Sequence, residues 1–237
     1  YNVLEVGKPM YYFYGLKCLG IWMNQAEIDA STAAHNGNAP KYNNTPVVPG
    51  DLKHEDINGD NNITPTTSGD MQYLGKPAAS FVYGMTNRFT WKNFDASVLF
   101  TAQTGGYIYG TIGRAIDRAG VGTQSNIMGY WRDQWWSESE PGNGIVPFHR
   151  SAVKPDADSR FLYKSDYFRV KNLTLGYKIP FKSFIQSARI YVSLENLLIL
   201  DNYYHGYSPE TSNSGTGMDY GAYPSARTYT FGLNINF

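Results

Sequence analysis

RTYTFGLNINF, residues 227–237, alternates between apolar and small or polar residues from Thr228 to its end. The apolar positions are Tyr229, Phe231, Leu233, Ile235 and Phe237. The other positions are Thr228, Thr230, Gly232, Asn234 and Asn236. A period of two predicts a β-strand with one apolar and one polar face. In a soluble sandwich the apolar face would be core, whereas in a membrane barrel it would face lipid and the polar face would line the lumen.

The composition favours extensive β-structure, and the formal net charge of the chain is zero. Lys plus Arg equals Asp plus Glu at 20 each, so we expect no nucleic-acid partner. Charged residues are only 17%, aromatic residues reach 16%, and there are 24 Gly. No apolar run approaches the ~20 residues of a membrane helix, so any span must be made by strands. No signal-like segment opens the chain, so if the protein is exported we expect this sequence to be a mature form or a fragment.

Other segments repeat the alternation of the last strand. Residues 81–91 and 94–103 predict a hairpin with a short turn at Lys92-Asn93. Residues 162–179 predict a strand with a bulge near Lys171-Asn172, because Phe168 and Val170 are out of phase with the later apolar positions. Residues 188–200 alternate as well, and the aromatic, glycine-rich residues 5–23 predict one more strand. The total is about six strands.

Long and short connections between the predicted strands alternate along the chain. Long, turn-rich segments at 24–80, 105–160 and 201–226 alternate with short turns at 92–93 and 180–187. Outer-membrane barrels show this pattern, with long extracellular loops and short periplasmic turns, and sandwiches have no reason to show it. Inside 105–160, apolar spacing predicts two short helices, one around Ile112–Ala119 and one around Ile127–Trp135 with Ser125 as its cap. The fold class is therefore all-β, an antiparallel transmembrane β-barrel segment with long extracellular loops.

One motif predicts a cation site. Its candidate ligands are Asp56, Asn58, Asp60, Asn62 and the later Asp70. Oxygen side chains at positions 1, 3 and 5 with a carbonyl at position 7 resemble the start of a Ca²⁺ loop, and Mg²⁺ is the alternative ion. Asn61 replaces the usual glycine but tolerates the left-handed conformation, and Thr67 stands where the closing acid is expected. The competing interpretation is a surface turn rich in Asn and Asp.

Aromatic residues concentrate in the predicted outside loops. They are Trp131, Trp135, Trp136, Tyr203, Tyr204, Tyr207, Tyr220 and Tyr223. Such rings could contact a neutral solute or a partner, although interface girdles and ordinary packing use them too. No catalytic motif accompanies them, and the single cysteine, Cys18, lies in an apolar context typical of an inert residue, so we expect no enzyme.

Four segments resemble the C-terminal part of SusC/RagA-type TonB-dependent outer-membrane transporters of Bacteroidetes. They are GDLKHEDINGDNNI with YLGKPAASFVYGMTNRFTWKNFDASVLFTAQTGGYIY, YFRVKNLTLGYKIP, ARIYVSLENLLIL and YPSARTYTFGLNINF. The sequence departs from the family at Asn61, at the late Asp70 and at SLEN, where the family has S-x-Q-N. These departures put only the metal site in question.

The resemblance implies a barrel of about 22 strands around a plug, of which residues 1–237 would be a C-terminal portion without the plug and N-terminal strands. It implies an outer-membrane location with a periplasmic C-terminus, and Phe237 as the assembly signal. The implied partners are a SusD-like surface lipoprotein, the remainder of the transporter, TonB through the N-terminal part, and outer-membrane lipid. The implied function is TonB-dependent import of oligosaccharides, or of peptides in RagA-like members. A soluble β-sandwich glycan-binding module remains the alternative from another class.

Overall fold

The computed structural model describes residues 2–117, 128–149, 151, 153–154, 157–180, 187–203, 207–211 and 215–236. The strands are β1 (Asn2–Val3), β2 (Tyr12–Gly15), β3 (Cys18–Ile21), β4 (Lys41–Tyr42), β5 (Thr45–Pro46), β6 (Leu52–His54), β7 (Asn62–Ile63), β8 (Gln72–Gly75), β9 (Phe81–Trp91), β10 (Phe94–Thr104), β11 (Tyr107–Gly110), β12 (Leu162–Lys164), β13 (Tyr167–Ile179), β14 (Ser187–Asp201), β15 (Met218–Asp219) and β16 (Thr228–Asn236). The α-helices are α1 (Gln25–Ala34) and α2 (Thr111–Asp117), and 3-10 helices span Gly129–Asp133, Ser159–Phe161 and Pro209–Thr211.

The chain divides into two compact units. The loop unit comprises Tyr1–Pro77, Tyr109–Tyr163 and Ser214–Gly221. The sheet unit comprises Ala78–Ile108, Lys164–Asn213 and Ala222–Phe237.

The sheet unit contains one antiparallel sheet of five long strands in the order β16-β14-β13-β10-β9. The predicted hairpin is confirmed: Trp91 pairs with Phe94, and Lys92 enters the left-handed region at φ +53° to close the two-residue turn. The predicted bulge is confirmed as well. Against β10 the register jumps from Asn172 to Val170, which leaves Lys171 unpaired and explains the change of phase.

The sequence prediction is wrong for residues 5–23. They form the short strands β2 and β3 of the loop unit, so the described residues contain five long strands rather than about six. Glycines interrupt the stretch: Gly20 has φ +130°, and a Cβ on Gly15 would meet the backbone of Ala157. Bent backbone of this kind cannot continue as a ten-residue spanning strand.

The segment predicted as a long loop at 24–80 is folded. Asn24 caps α1, its Oδ1 accepting a hydrogen bond from the Glu27 N–H at 2.9 Å. A buried apolar cluster packs around this helix; its members are Ile21, Trp22, Ile28, Val47, Leu52 and Val153. The first predicted helix of 105–160 is confirmed as α2, whereas the second is only the 3-10 helix Gly129–Asp133, and Ser125 lies outside the described residues. No helix in the described part of the chain is long and apolar enough to cross a bilayer.

Candidate functional site

The sheet has two chemically different faces, each continuous from strand to strand. One row runs Phe94, Tyr177, Ile190 and Leu233 on neighbouring strands, and the next row on that face runs Ala96, Leu175, Val192 and Phe231. The face is uncovered in this chain: Phe231 is 82% exposed and Trp91 is 66% exposed. So broad an apolar surface indicates a contact with lipid or with another apolar layer.

The opposite face is polar and internally hydrogen-bonded. Ser97, Thr174, Ser193 and Thr230 form one row across four strands. The hydroxyl oxygens of Thr174 and Ser193 lie 3.0 Å apart, and Asn172 Nδ2 donates to Ser193 Oγ at 3.1 Å. A wall of hydroxyls suits a water-filled or polar lumen.

An ion pair crosses three strands on the same face. Arg189 of β14 reaches over β13 to Asp95 of β10, with Nε donating to Oδ1 at 2.8 Å and Nη2 to Oδ2 at 2.5 Å. The guanidinium lies directly on Gly176, where a Cβ would collide with it. Tyr191 lies over Gly232 in the same way. Gly176 and Gly232 therefore make room for long side chains that lie flat on the sheet.

A buried arginine holds the segment after β14 against the sheet. Arg169, 4% exposed, forms an ion pair with Glu210, and its guanidinium donates to Asn196 Oδ1 and to Ser208 Oγ, each at 3.3 Å. Tyr167 stacks near the same guanidinium. Sequence reasoning missed this cluster, because Glu210 lies in a segment without periodicity and no local pattern links it to β13.

The predicted cation loop is folded by its own side chains. Asp56 Oδ1 and Oδ2 accept from the Gly59 and Asn61 N–H groups at 2.8 and 2.7 Å, and Asp60 Oδ1 accepts from the Asn62 N–H at 2.8 Å. Asn58 Oδ1 accepts from the Asp60 N–H at 3.0 Å. Asn61 adopts φ +59°, the left-handed turn expected of it.

Asp70 has a different role in that loop. It is fully buried, and its two oxygens accept from the Ile57 N–H at 2.9 Å and the Thr64 N–H at 2.6 Å. It thereby joins the two ends of the loop. In the described residues, one group of three His, Cys, Asp or Glu side chains brings its ligand atoms within 4.8 Å of one another, and it is not this loop but Cys18, His54 and Asp158.

The predicted loop aromatics separate by burial. Trp131 is 1% exposed and packs with Val146 as core, and Trp135 packs against the α1 cluster while its Nε1 donates to Met23 O at 2.9 Å. Tyr203 is buried and Tyr207 half-buried. The exposed rings are those of Trp136, Tyr220 and Tyr223. Tyr204 and Phe237 lie outside the described residues.

Cys18 has little nucleophilic character. Burial, and secondarily the nearby Asp158 carboxylate, raises the pKa of its thiol to about 12. A thiol that stays protonated at neutral pH does not attack substrates.

Comparisons with known proteins agree with the geometry. TonB-dependent receptor P3 of Formosa agariphila is 29% identical over 249 residues, which cover 100% of this chain and 23% of that protein. The TonB-dependent receptor SusC of Bacteroides thetaiotaomicron is 28% identical over 187 residues, 77% of this chain and 17% of that protein. The structure of the RagAB peptide transporter aligns with a TM-score of 0.72 at 19% identity, over 100% of this chain and 24% of the other. No protein-family model matches the chain.

The fold is that of part of a TonB-dependent transporter barrel, an antiparallel all-β architecture. In sequence and fold the chain is similar to the SusC/RagA-type transporters, the family that the four sequence segments resemble. The chain spans only about a quarter of the length of relatives such as receptor P3.

Proposed function

We propose that this chain is part of the wall and outer loops of an outer-membrane importer that takes up oligosaccharides by a TonB-dependent mechanism. The observation that carries the proposal is the two-faced sheet. Its apolar face matches a lipid-facing surface, and its polar face matches a lumen wall. A soluble sandwich would need a second layer over Phe231 and Leu233, and these side chains are exposed in the described structure.

The connections support an orientation for the sheet. Residues 92–93 and 180–186 are short links, whereas 105–166 and 202–227 are long. We assign the short links and the C-terminus to the periplasm and the long loops to the outside of the cell, as in other outer-membrane barrels. The long loops would then meet the solute and a SusD-like surface lipoprotein. The remainder of the transporter would complete the barrel, and its N-terminal part would engage TonB.

Exposed aromatic rings in the loops favour a neutral sugar ligand. Tyr223 is 89% exposed, Tyr220 64% and Trp136 55%. Pairs of aromatic rings gain about 0.5–1.5 kcal/mol beyond area burial, and we take a gain of the same order for a ring stacked on the apolar face of a sugar. Peptides, the cargo named for RagAB, are the alternative ligand class.

The ligand class is tested on the full-length transporter, purified in mild detergent and denatured to release what it carries. We expect mass spectrometry to find oligosaccharides and a co-purified lipoprotein. We also expect Tyr223→Ala to weaken oligosaccharide binding about two- to tenfold, with Tyr229→Ala on the apolar face as the matched control. Recovery of peptides alone would favour the alternative, and a soluble monomer without detergent would contradict the membrane assignment.

For the loop at 56–70 we propose calcium binding through Asp56, Asn58, Asp60 and the carbonyl of Asn62, with Mg²⁺ as the weaker competitor. The hydrogen bonds within the loop support it, because they fix the turn that carries these side chains before an ion arrives. We expect Ca²⁺ to raise the thermal midpoint of the wild type but not of Asp60→Asn. Asp70→Asn should lower the midpoint with and without Ca²⁺, because it sets an amide N–H₂ against a backbone donor. Equal calcium responses in the wild type and Asp60→Asn would refute the site.

A further inference from the structure

Cys18, His54 and Asp158 come from three chain segments of the loop unit, and backbone pairing between these segments brings the three residues together. Cys18 of β3 and His54 of β6 are directly paired in an antiparallel ladder, which places their side chains on one face. Asp158 is attached by a parallel bridge to Leu16, and the Ser159 hydroxyl accepts from the Cys18 N–H at 2.9 Å. Each side chain is therefore positioned by hydrogen-bonded backbone rather than by a free loop tip.

Their ligand atoms are already close. One atom from each residue lies within 4.8 Å of the others, and His54 Nε2 is 3.3 Å from Asp158 Oδ2. Zinc binds sulfur at about 2.3 Å, imidazole nitrogen at about 2.0–2.1 Å and carboxylate oxygen at about 2.0–2.2 Å. Closing the three groups on one ion needs side-chain movements of only about 1 Å on these bond lengths.

His54 presents one ring nitrogen to the cluster. Its side chain is fully buried, and Nε2 is the nitrogen that faces Asp158, so Nε2 is the atom placed to bind an ion. Nδ1, on the other side of the ring, has no hydrogen-bond partner among the described residues and would carry the ring proton. The Asp158 carboxylate is oriented independently, since its Oδ1 accepts from the Arg160 N–H at 2.8 Å and leaves Oδ2 facing the histidine.

We propose that Cys18, His54 and Asp158 bind a divalent transition metal, zinc in the first place. The ligands would be Cys18 Sγ, one ring nitrogen of His54 and Asp158 Oδ2, with water as the fourth ligand. The thiol loses its proton to solvent on binding, and one thiolate with one carboxylate then balances the two charges of the ion. A sulfur and an imidazole ligand select zinc over calcium or magnesium. The bound metal would fasten the segments around residues 18, 54 and 158 to one another, and this holds whatever solute the transporter carries.

Zinc affinity is measured on the full-length transporter, freed of metal and titrated with Zn²⁺ against a coloured chelator. We expect one high-affinity equivalent that Cys18→Ser and His54→Gln weaken at least about tenfold, as losses around metal sites do. His35→Gln is the matched control; this half-buried histidine belongs to the same unit and contacts Ser31 O through Nδ1. It should leave the affinity unchanged.

A second measurement uses only the wild-type protein and so does not depend on whether a variant folds. Co²⁺ added to the wild type should give a near-ultraviolet thiolate-to-cobalt absorption band, and excess Zn²⁺ should abolish it. Absence of that band in the wild type, or Zn²⁺ affinities equal in the wild type and Cys18→Ser, would overturn the site.

Discussion

Gly176 and Gly232 show at the scale of single residues how the polar face is built. Each is a small residue at a position where the alternation allows any polar side chain, and each lies beneath a long side chain of a neighbouring strand. The sequence predicted which face these glycines occupy. It did not predict why they are glycine, because the side chains above them come from positions that only the strand register brings near.

Gly176→Val should displace Arg189 from Asp95, because the new side chain occupies the space of the guanidinium. We expect a loss of about 1–3 kcal/mol in the free energy of unfolding, typical of overpacking, measured by urea unfolding of the transporter in lipid vesicles. Gly84→Val on the same face is the control, since nothing lies within 4 Å of a Cβ there. Equal effects of the two substitutions would contradict the proposed role of Gly176.

At the scale of elements, the sequence predicted those features that depend only on neighbouring residues. The turn at Lys92-Asn93, the bulge at Lys171 and the start of α2 near Ile112 all follow from neighbouring residues. The short strands of residues 2–75 could not be predicted, because they are too short for an alternation to mark them, and several pair with strands far away in the sequence, as β2 does with β8. The Cys18, His54 and Asp158 cluster was missed for the same reason.

The Arg169–Glu210 contact makes a prediction for the segment that follows β14. Glu210→Gln removes the partner charge of a buried guanidinium, which is costly in a low-dielectric site. We expect residues 207–211 to exchange amide hydrogens at least about tenfold faster, a change of about 1.4 kcal/mol in local stability, while β13 and β14 stay protected. Glu195→Gln is the control, an exposed glutamate of β14. Unchanged exchange at 207–211 would show that other contacts hold the segment.

At the scale of the whole molecule, the five-stranded sheet is open and has two free edges in the part of the chain that the structure describes. In the described residues β9 and β16 each pair on one side only, and free edges of this kind invite pairing with further strands. The period of two predicted the long strands of this sheet, because it depends on the two faces of a strand rather than on a particular set of contacts. The orientation inferred from the long and short connections stays a prediction. The fold of the loop unit depends on packing between residues that are far apart in the sequence, so it could not be predicted from local patterns.

The central claim is that the apolar face of the sheet faces lipid and the polar face does not. Single cysteines at positions 231–236 of the full-length transporter, in a Cys18→Ser background free of other cysteines, can carry a fluorophore in bilayers that contain a lipid-borne quencher. The account predicts quenching that alternates with period two, strong at 231, 233 and 235 and weak at 232, 234 and 236. Uniform quenching, or alternation in the opposite phase, would contradict it.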